Sequence, residues 1–211
     1  MTALLTALAI LLVGWFAVGT IWNVRKGGAL MRWLQQGLPA VGERTTVRWL
    51  GSTAVEMVIA SARAPFQKVT LVIFLEPRDM PWMWLFARRG GRRDTLILRG
   101  ELRIAPSIDL EALDGRSWSG KDALHAVSSA AWSSRPPSAA GGLATWHGSE
   151  AALARADELL DLARRAGLEV RRLSVRRTPP HLQLHVDAPG EGASARALFD
   201  SFHALAERAL H

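Results

Sequence analysis

The chain has 211 residues, 49% of them hydrophobic, which is enough for one packed domain with an appendage or for two small domains. It has no cysteine, which excludes a disulfide framework, a thiol nucleophile and cysteine-ligated zinc. The net charge of +7 is uneven, because residues 25–103 hold 14 Lys and Arg against 6 Asp and Glu, whereas residues 104–211 hold 12 against 13. The basic first half suits an anionic partner, either lipid or nucleic acid.

Residues 1–26 are predicted to form a transmembrane anchor. Residues 1–24 carry no charged side chain, and the 20 residues from Ala3 to Trp22 make about 30 Å of helix, which matches the hydrocarbon core of a bilayer. A cleaved signal peptide is the alternative. However, no basic segment precedes the apolar run, and the run is longer than such peptides carry.

The charged residues after the span set the expected orientation. Arg25, Lys26 and Arg32 follow it directly, so we expect a single-pass protein of the cell membrane whose C-terminal domain is cytoplasmic. Residues 27–42 form a juxtamembrane segment. They are predicted either as a helix near the membrane surface or as the continuing anchor helix, and Pro39 closes the segment.

Residues 43–132 are predicted as a basic α+β region. Two segments rich in β-branched residues, 44–50 and 53–60, flank Gly51-Ser52 and predict a hairpin. The almost uninterrupted apolar run 68–76 predicts a central strand covered on both faces. The rest of the region is predicted, in chain order, as a strand over 95–105, a strand or helix over 107–114 and a helix over 121–132.

The C-terminal part is predicted as a linker over residues 133–148, rich in proline and small residues, followed by a helix–hairpin–helix region over 149–211. This region packs on the preceding one and comprises a helix over 149–167, strands over 168–175 and 181–188, and a helix over 193–210. Because hairpins dominate, the predicted fold class is α+β: a single N-terminal transmembrane helix followed by a mainly antiparallel sheet with packed helices.

The stretch GRSWSGKD, residues 115–122, matches the start of a phosphate-binding P-loop. In such a loop backbone N–H groups cradle the phosphates and a lysine reaches the terminal ones, so Gly115, Gly120 and Lys121 are candidate nucleotide-binding residues. Asp122 stands where a magnesium-binding Ser or Thr is needed, and no parallel sheet is indicated. We therefore favour a polar turn before a helix and expect no bound cofactor.

His181 and His185 alternate along one predicted strand, and we expect both to face solvent. Two histidines can contribute to a metal site, but no third ligand stands out, so no metal is expected. Nucleic-acid binding would use the same basic and aromatic residues as lipid binding. It is the less favoured alternative, because no binding-module signature is visible and a neighbouring membrane already explains the charge.

Residues 80–94, MPWMWLFARRGGRRD, place an apolar block beside arginines. As a short helix this block is apolar all round, which excludes a purely solvated loop. One interpretation buries it in the core between the strands at 68–76 and 95–105. The other makes it a wedge in the lipid headgroup layer, where tryptophan beside arginine is favoured. The candidate membrane-contacting residues are Trp82, Trp84, Phe86, Arg88, Arg89, Arg92 and Arg93.

These features predict a membrane-anchored, non-catalytic interaction or scaffold domain whose basic first half faces anionic lipid. Its expected partners are membrane lipid and a protein that the sequence does not identify. No complete catalytic constellation is present in the sequence, and the nucleotide-binding and nucleic-acid-binding alternatives rest on the residues given above.

Overall fold

The computed structural model describes residues 1–128, 132–136, 143–190 and 192–211. Within them the chain forms five α-helices and one nine-stranded sheet, which confirms the α+β class. The helices are α1 (Thr2–Gln35), α2 (Pro81–Arg89), α3 (Trp118–Ser128), α4 (Glu150–Arg164) and α5 (Ala195–Leu210). The strands are β1 (Thr45–Trp49), β2 (Ala54–Ile59), β3 (Phe66–Phe74), β4 (Thr95–Leu102), β5 (Leu110–Leu113), β6 (Ser133–Arg135), β7 (Ala144–His147), β8 (Val170–Val175) and β9 (Leu182–Asp187).

Helix α1 is long and apolar enough to cross a membrane. Only 6% of its most apolar 18-residue window is buried inside the protein, so it is not the core helix of a soluble domain. The helix continues without a break to Gln35, and its last turns bring Leu30, Met31 and Leu34 into the core. Of the predicted juxtamembrane segment, residues 27–35 thus continue α1, and a single 3₁₀ turn over Leu38–Ala40 follows.

The sheet has the strand order β1-β2-β3-β4-β9-β8-β5-β7-β6, and all of these pairings are antiparallel. The predicted β1–β2 hairpin is confirmed, with Gly51 in the left-handed region at φ +86° as its turn requires. Pairing of β4 with β9, for example Leu98 opposite Leu184, joins the basic region to the C-terminal region. The two predicted regions thus share one sheet.

Two strands lie inside the segment predicted as a linker. Strand β7 pairs with β5, and β6 pairs with β7, so these parts of residues 133–148 belong to the sheet. Residues 137–142, the centre of the predicted linker, lie outside the described residues. The ambiguous segment 107–114 contains strand β5 and no helix.

Most of the apolar side chains meet on one face of the sheet. Helices α4, α5 and the end of α1 cover this face, where Leu71 of β3 packs in the same core as Phe199 and Phe202. Helix α3 covers part of the opposite face over Leu113. The prediction that β3 is covered on both faces holds at its C-terminal end, where Phe74 packs edge-on against Trp118.

Candidate membrane-proximal site

Helix α2 lies in the connection between β3 and β4, at the end of the sheet that meets α1. Pro81 occupies its first turn, where the missing N–H costs nothing, and Gly91 follows it at φ +85°. None of its residues is buried: Trp82 is 49% exposed and Phe86 is 67% exposed. Burial of this block in the core is therefore wrong. The main core is built mostly from sheet residues and parts of α1, α4 and α5, and no residue of α2 belongs to it or to the smaller cluster under α3.

A cluster of polar side chains connects α1 to the domain at this end of the sheet. We call it the docking cluster: Asn23, Lys26, Glu76, Arg78 and Asp94. Asn23 is completely buried, donates from Nδ2 to the Glu76 carbonyl oxygen at 3.1 Å, and accepts at Oδ1 from Arg78 at 3.2 Å. Both halves of its carboxamide are thus satisfied by the domain.

Asp94 is the centre of the docking cluster. Its two oxygens accept a bidentate pair from Arg78 at 2.9 and 2.8 Å, an ion pair from Lys26, and the backbone N–H of Glu76 at 2.7 Å. Burial alone would raise the pKa of Asp94, but these donors outweigh it and hold the pKa below its ordinary value. The carboxylate therefore stays charged and ties α1 to the loop after β3.

Glu76 connects the docking cluster to α2. Its side chain is almost fully buried, and Oε2 accepts from the indole Nε1 of Trp84 at 2.5 Å. Arg88 lies 3.5 Å from the same oxygen and stacks over the Trp84 ring at 5.6 Å from its centroid. These contacts hold one side of α2 against the domain and leave the side with Trp82 and Phe86 exposed.

The loop after β3 also reaches the apolar part of α1. The indole Nε1 of Trp15 donates to the Arg78 carbonyl oxygen at 2.9 Å, and a Cβ at Gly19 would overlap that same carbonyl group. Trp15 lies seven residues before Trp22, about 10 Å further along the helix axis. The domain therefore contacts α1 within the segment that is apolar enough to cross a membrane.

A groove of about 680 Å³ runs between α1 and α2. Most of its apolar lining comes from α1 and α2 adds Trp84; the α1 residues are Ile10, Leu11, Gly14, Trp15, Val18, Gly19 and Trp22. Basic side chains stand at its other end, namely Lys26, Arg78 and Arg88. The volume lies within the range of about 300–1,000 Å³ that is typical of ligand sites.

The remaining predicted surface arginines differ in how they are held. Arg89 and Arg93 are exposed, and Arg93 donates to the carbonyl oxygens of Arg88 and Arg92. The Arg92 guanidinium lies 5.1 Å from the centroid of the Trp118 ring. Of the four predicted arginines, Arg88 lines the groove and Arg92 packs against Trp118 of α3, whereas Arg89 and Arg93 are exposed.

The GRSWSGKD loop does not have the geometry of a phosphate cradle. Helix α3 begins at Trp118, so Gly120 and Lys121 lie inside its first turn instead of in a loop. The Ser117 hydroxyl already accepts from the Gly120 N–H at 3.0 Å, so this donor is engaged within the helix cap. Strand β5 before the loop pairs antiparallel on both sides, unlike the parallel sheet of P-loop domains.

The expectation that both histidines face solvent is wrong. Nδ1 of His181 accepts from the Leu102 N–H at 2.9 Å, and burial lowers the pKa of His181. His185 is 3% exposed, and burial, followed by the charges of Arg172 and Arg99, lowers the pKa of His185 to about 3. The described residues contain no group of three or more His, Asp or Glu placed to hold a metal ion.

Of the residues in the docking cluster, only Lys26 was predicted from the sequence to have a role at the membrane. The signals were faint: a lone Asn at the end of an apolar run, and acidic residues at the ends of two apolar strands, Glu76 after β3 and Asp94 before β4. Comparison of the chain with protein-family models and with curated protein sequences gives no match.

Proposed function

We propose that the protein is a single-pass, membrane-anchored interaction protein whose α+β domain rests on anionic lipid through α2. One observation carries this proposal: α2 exposes its apolar side chains directly beside the apolar segment of α1. If α1 crosses a bilayer, α2 is held at the depth of the bilayer surface, because the docking cluster fixes the two helices to the same loop.

Insertion into lipid would bury the exposed apolar side of α2, which is energetically favourable. Trp82, Met83, Leu85 and Phe86 are each at least 42% exposed. Fully burying a large apolar side chain contributes about 1.5–3 kcal/mol, so four half-exposed groups represent a substantial gain from insertion. Tryptophan in particular favours the interface between hydrocarbon and headgroups.

The exposed positive charges near α2 favour an anionic lipid surface as the binding partner. Arg89 and Arg93 are exposed next to the apolar side of α2, and a basic residue near an anionic membrane contributes about 1 kcal/mol. Arg25 and Arg32 add positive charge after the apolar segment of α1. We propose that the domain is cytoplasmic, where anionic lipid is concentrated, and that its role is non-catalytic contact with a protein partner at the membrane.

The absence of cysteine makes the lipid contact directly testable in the full-length protein. A nitroxide label on Phe86→Cys in anionic vesicles should be relaxed by oxygen, which dissolves in lipid, more than by a water-soluble nickel chelate. Ile104→Cys is the matched control, because Ile104 is 70% exposed and lies beyond the far end of β4, at least about 23 Å from the start of that strand. Its label should report water.

The two labels decide between a lipid-facing and a solvent-facing α2. Equal access of the nickel chelate to positions 86 and 104 would show that α2 does not enter the headgroup layer, and the proposed lipid-facing surface would then be rejected. A lipid-exposed label at 86 in anionic vesicles, with a weaker effect in zwitterionic ones, is the expected result.

A further inference from the structure

The groove between α1 and α2 has two kinds of surface, and these complement the two parts of an anionic phospholipid. Its long wall is apolar and comes from α1, and its end carries Lys26, Arg78 and Arg88. From Ile10 to Lys26 the wall extends about 24 Å along the helix, which exceeds the roughly 15 Å half-thickness of a bilayer's hydrocarbon core. An acyl chain can therefore lie along α1 while its headgroup reaches the basic end.

The charge at the basic end is unbalanced in favour of an anion. The three cations there pair with two carboxylates, Glu76 and Asp94. With the neighbouring Arg92 and Asp79 included, four cations face three carboxylates, so one positive charge is left over. One phosphodiester carries one negative charge. Lys26 and Arg88 also keep 39% and 52% of their side chains exposed, and Arg88 contacts its carboxylate only at 3.5 Å.

We infer that this groove binds one anionic phospholipid per chain, with an acyl chain against Val18 and Trp22 and the phosphate between Lys26 and Arg88. The inference rests on the proposed membrane contact of the domain, and it adds a defined site to a general lipid-facing surface. The direction fits as well, because the basic end of the groove lies on the domain side and the apolar wall extends toward the middle of the apolar segment of α1.

Gly14 allows the groove to be filled without disturbing the protein. A Cβ at Gly14 meets no atom within 4 Å, so Gly14→Leu projects into open space in the groove. Ala9→Leu is the matched control: it adds a similar apolar side chain at an exposed position about 140° around the same helix. At the basic end, Arg88→Gln removes a groove cation. Arg177→Gln is its control, because it removes an exposed arginine that follows β8 at the opposite end of the sheet.

Native mass spectrometry of the full-length protein released from bilayers of phosphatidylglycerol and phosphatidylcholine tests this site. The unmodified protein should retain one phosphatidylglycerol per chain. Gly14→Leu and Arg88→Gln should lower the retained fraction at least tenfold, whereas Ala9→Leu and Arg177→Gln should leave it unchanged. Circular dichroism checks that each variant is folded, and Arg88→Gln tests the site even if Gly14→Leu does not fold.

Three outcomes overturn the site. The first is equal retention of phosphatidylglycerol and phosphatidylcholine. The second is an equal loss of retained lipid in the variants and in their matched controls. The third is a dimer that Gly14→Leu dissociates, because a second copy of the chain would then occupy the groove. Failure of the site is distinguishable from failure of the proposed function. A lipid-exposed label at position 86 without a retained phosphatidylglycerol would leave the general surface intact and reject only the specific groove.

Discussion

Asn23 illustrates what a single buried side chain contributes at the boundary between the apolar helix and the domain. Its carboxamide lies within α1, yet its partners Glu76 and Arg78 come from the loop after β3. In the sequence it is merely one uncharged residue at the end of a long apolar run. Its role depends on contacts more than 50 residues away, and periodicity within a single helix carries no such information.

His185 is a residue whose burial predicts a pH dependence. Its two ring nitrogens make no hydrogen bond among the described residues, and Arg172 and Arg99 oppose its protonation. The pKa of about 3 in the folded protein lies below the ordinary value of about 6.5, so protons bind the unfolded state preferentially. The free energy of unfolding is therefore unaffected by protonation of His185 above about pH 6.5. It falls as the pH is lowered toward 3, by about 2 kcal/mol at pH 5.

Replacing this histidine should remove that loss. We expect His185→Leu to be as stable as the unmodified protein or more so at pH 7, because it removes unpaired polar atoms, and to lose less stability between pH 7 and pH 5. Denaturant unfolding at both pH values measures the difference. Gln183→Leu on the same strand is the control: it removes no titratable group, so it should keep the pH response of the unmodified protein. Parallel losses in His185→Leu and the unmodified protein would contradict the assignment.

Individual strands and helices were predictable where their signals are local. The β1–β2 hairpin follows from β-branched residues around Gly51, and α4 begins at its Ser149 cap. The exposure of α2 was not predictable, because an apolar block can face a core or a membrane with the same sequence. The P-loop pattern has a similar limit: a short motif specifies spacing, whereas the capped turn at Ser117 and the antiparallel neighbours of β5 decide the geometry.

Helix α1 is buried near its C-terminal end and exposed along its apolar half, so truncating a side chain should have different effects at the two ends. Leu34 near its C-terminal end is fully buried, whereas Leu8 in its apolar half is 51% exposed. We expect Leu34→Ala to lower the free energy of unfolding of the domain by about 2–5 kcal/mol, the usual cost of truncating a buried leucine. Leu8→Ala should leave it nearly unchanged.

Truncations extend the same comparison. Removing residues 2–22 should leave a folded domain, because Leu30, Met31 and Leu34 remain, whereas removing residues 2–35 should expose their contacts and unfold it. Thermal unfolding and resistance to proteolysis measure both effects. A folded domain without residues 2–35 would show that α1 is only a tether.

In the molecule as a whole, one continuous sheet joins the part of the chain that follows α1 to the C-terminal part. The sequence divides the chain by composition into a basic part and a nearly neutral part, but β4 pairs with β9 across that division. Sheet order depends on contacts between distant segments, and composition does not encode it. The consequence is that α1, α2 and the sheet form one connected unit, which a membrane would orient as a whole.

The orientation of that unit is the remaining prediction. Because Arg25, Lys26 and Arg32 follow the apolar segment, we predict that the C-terminal domain is cytoplasmic. A green fluorescent protein fused after His211 should fluoresce, and alkaline phosphatase at the same position should be inactive.

The flanking charges can be changed without touching the docking cluster. Arg25→Gln and Arg32→Gln combined with Thr2→Arg should raise phosphatase activity, because this reverses the charge difference across the span. Arg177→Gln with Arg196→Gln is the matched control, since both arginines lie far beyond the roughly 15–20 residues over which flanking charge acts. High phosphatase activity of the unmodified fusion would place the domain outside the cytoplasm. It would also remove the anionic leaflet that Arg89 and Arg93 are proposed to contact.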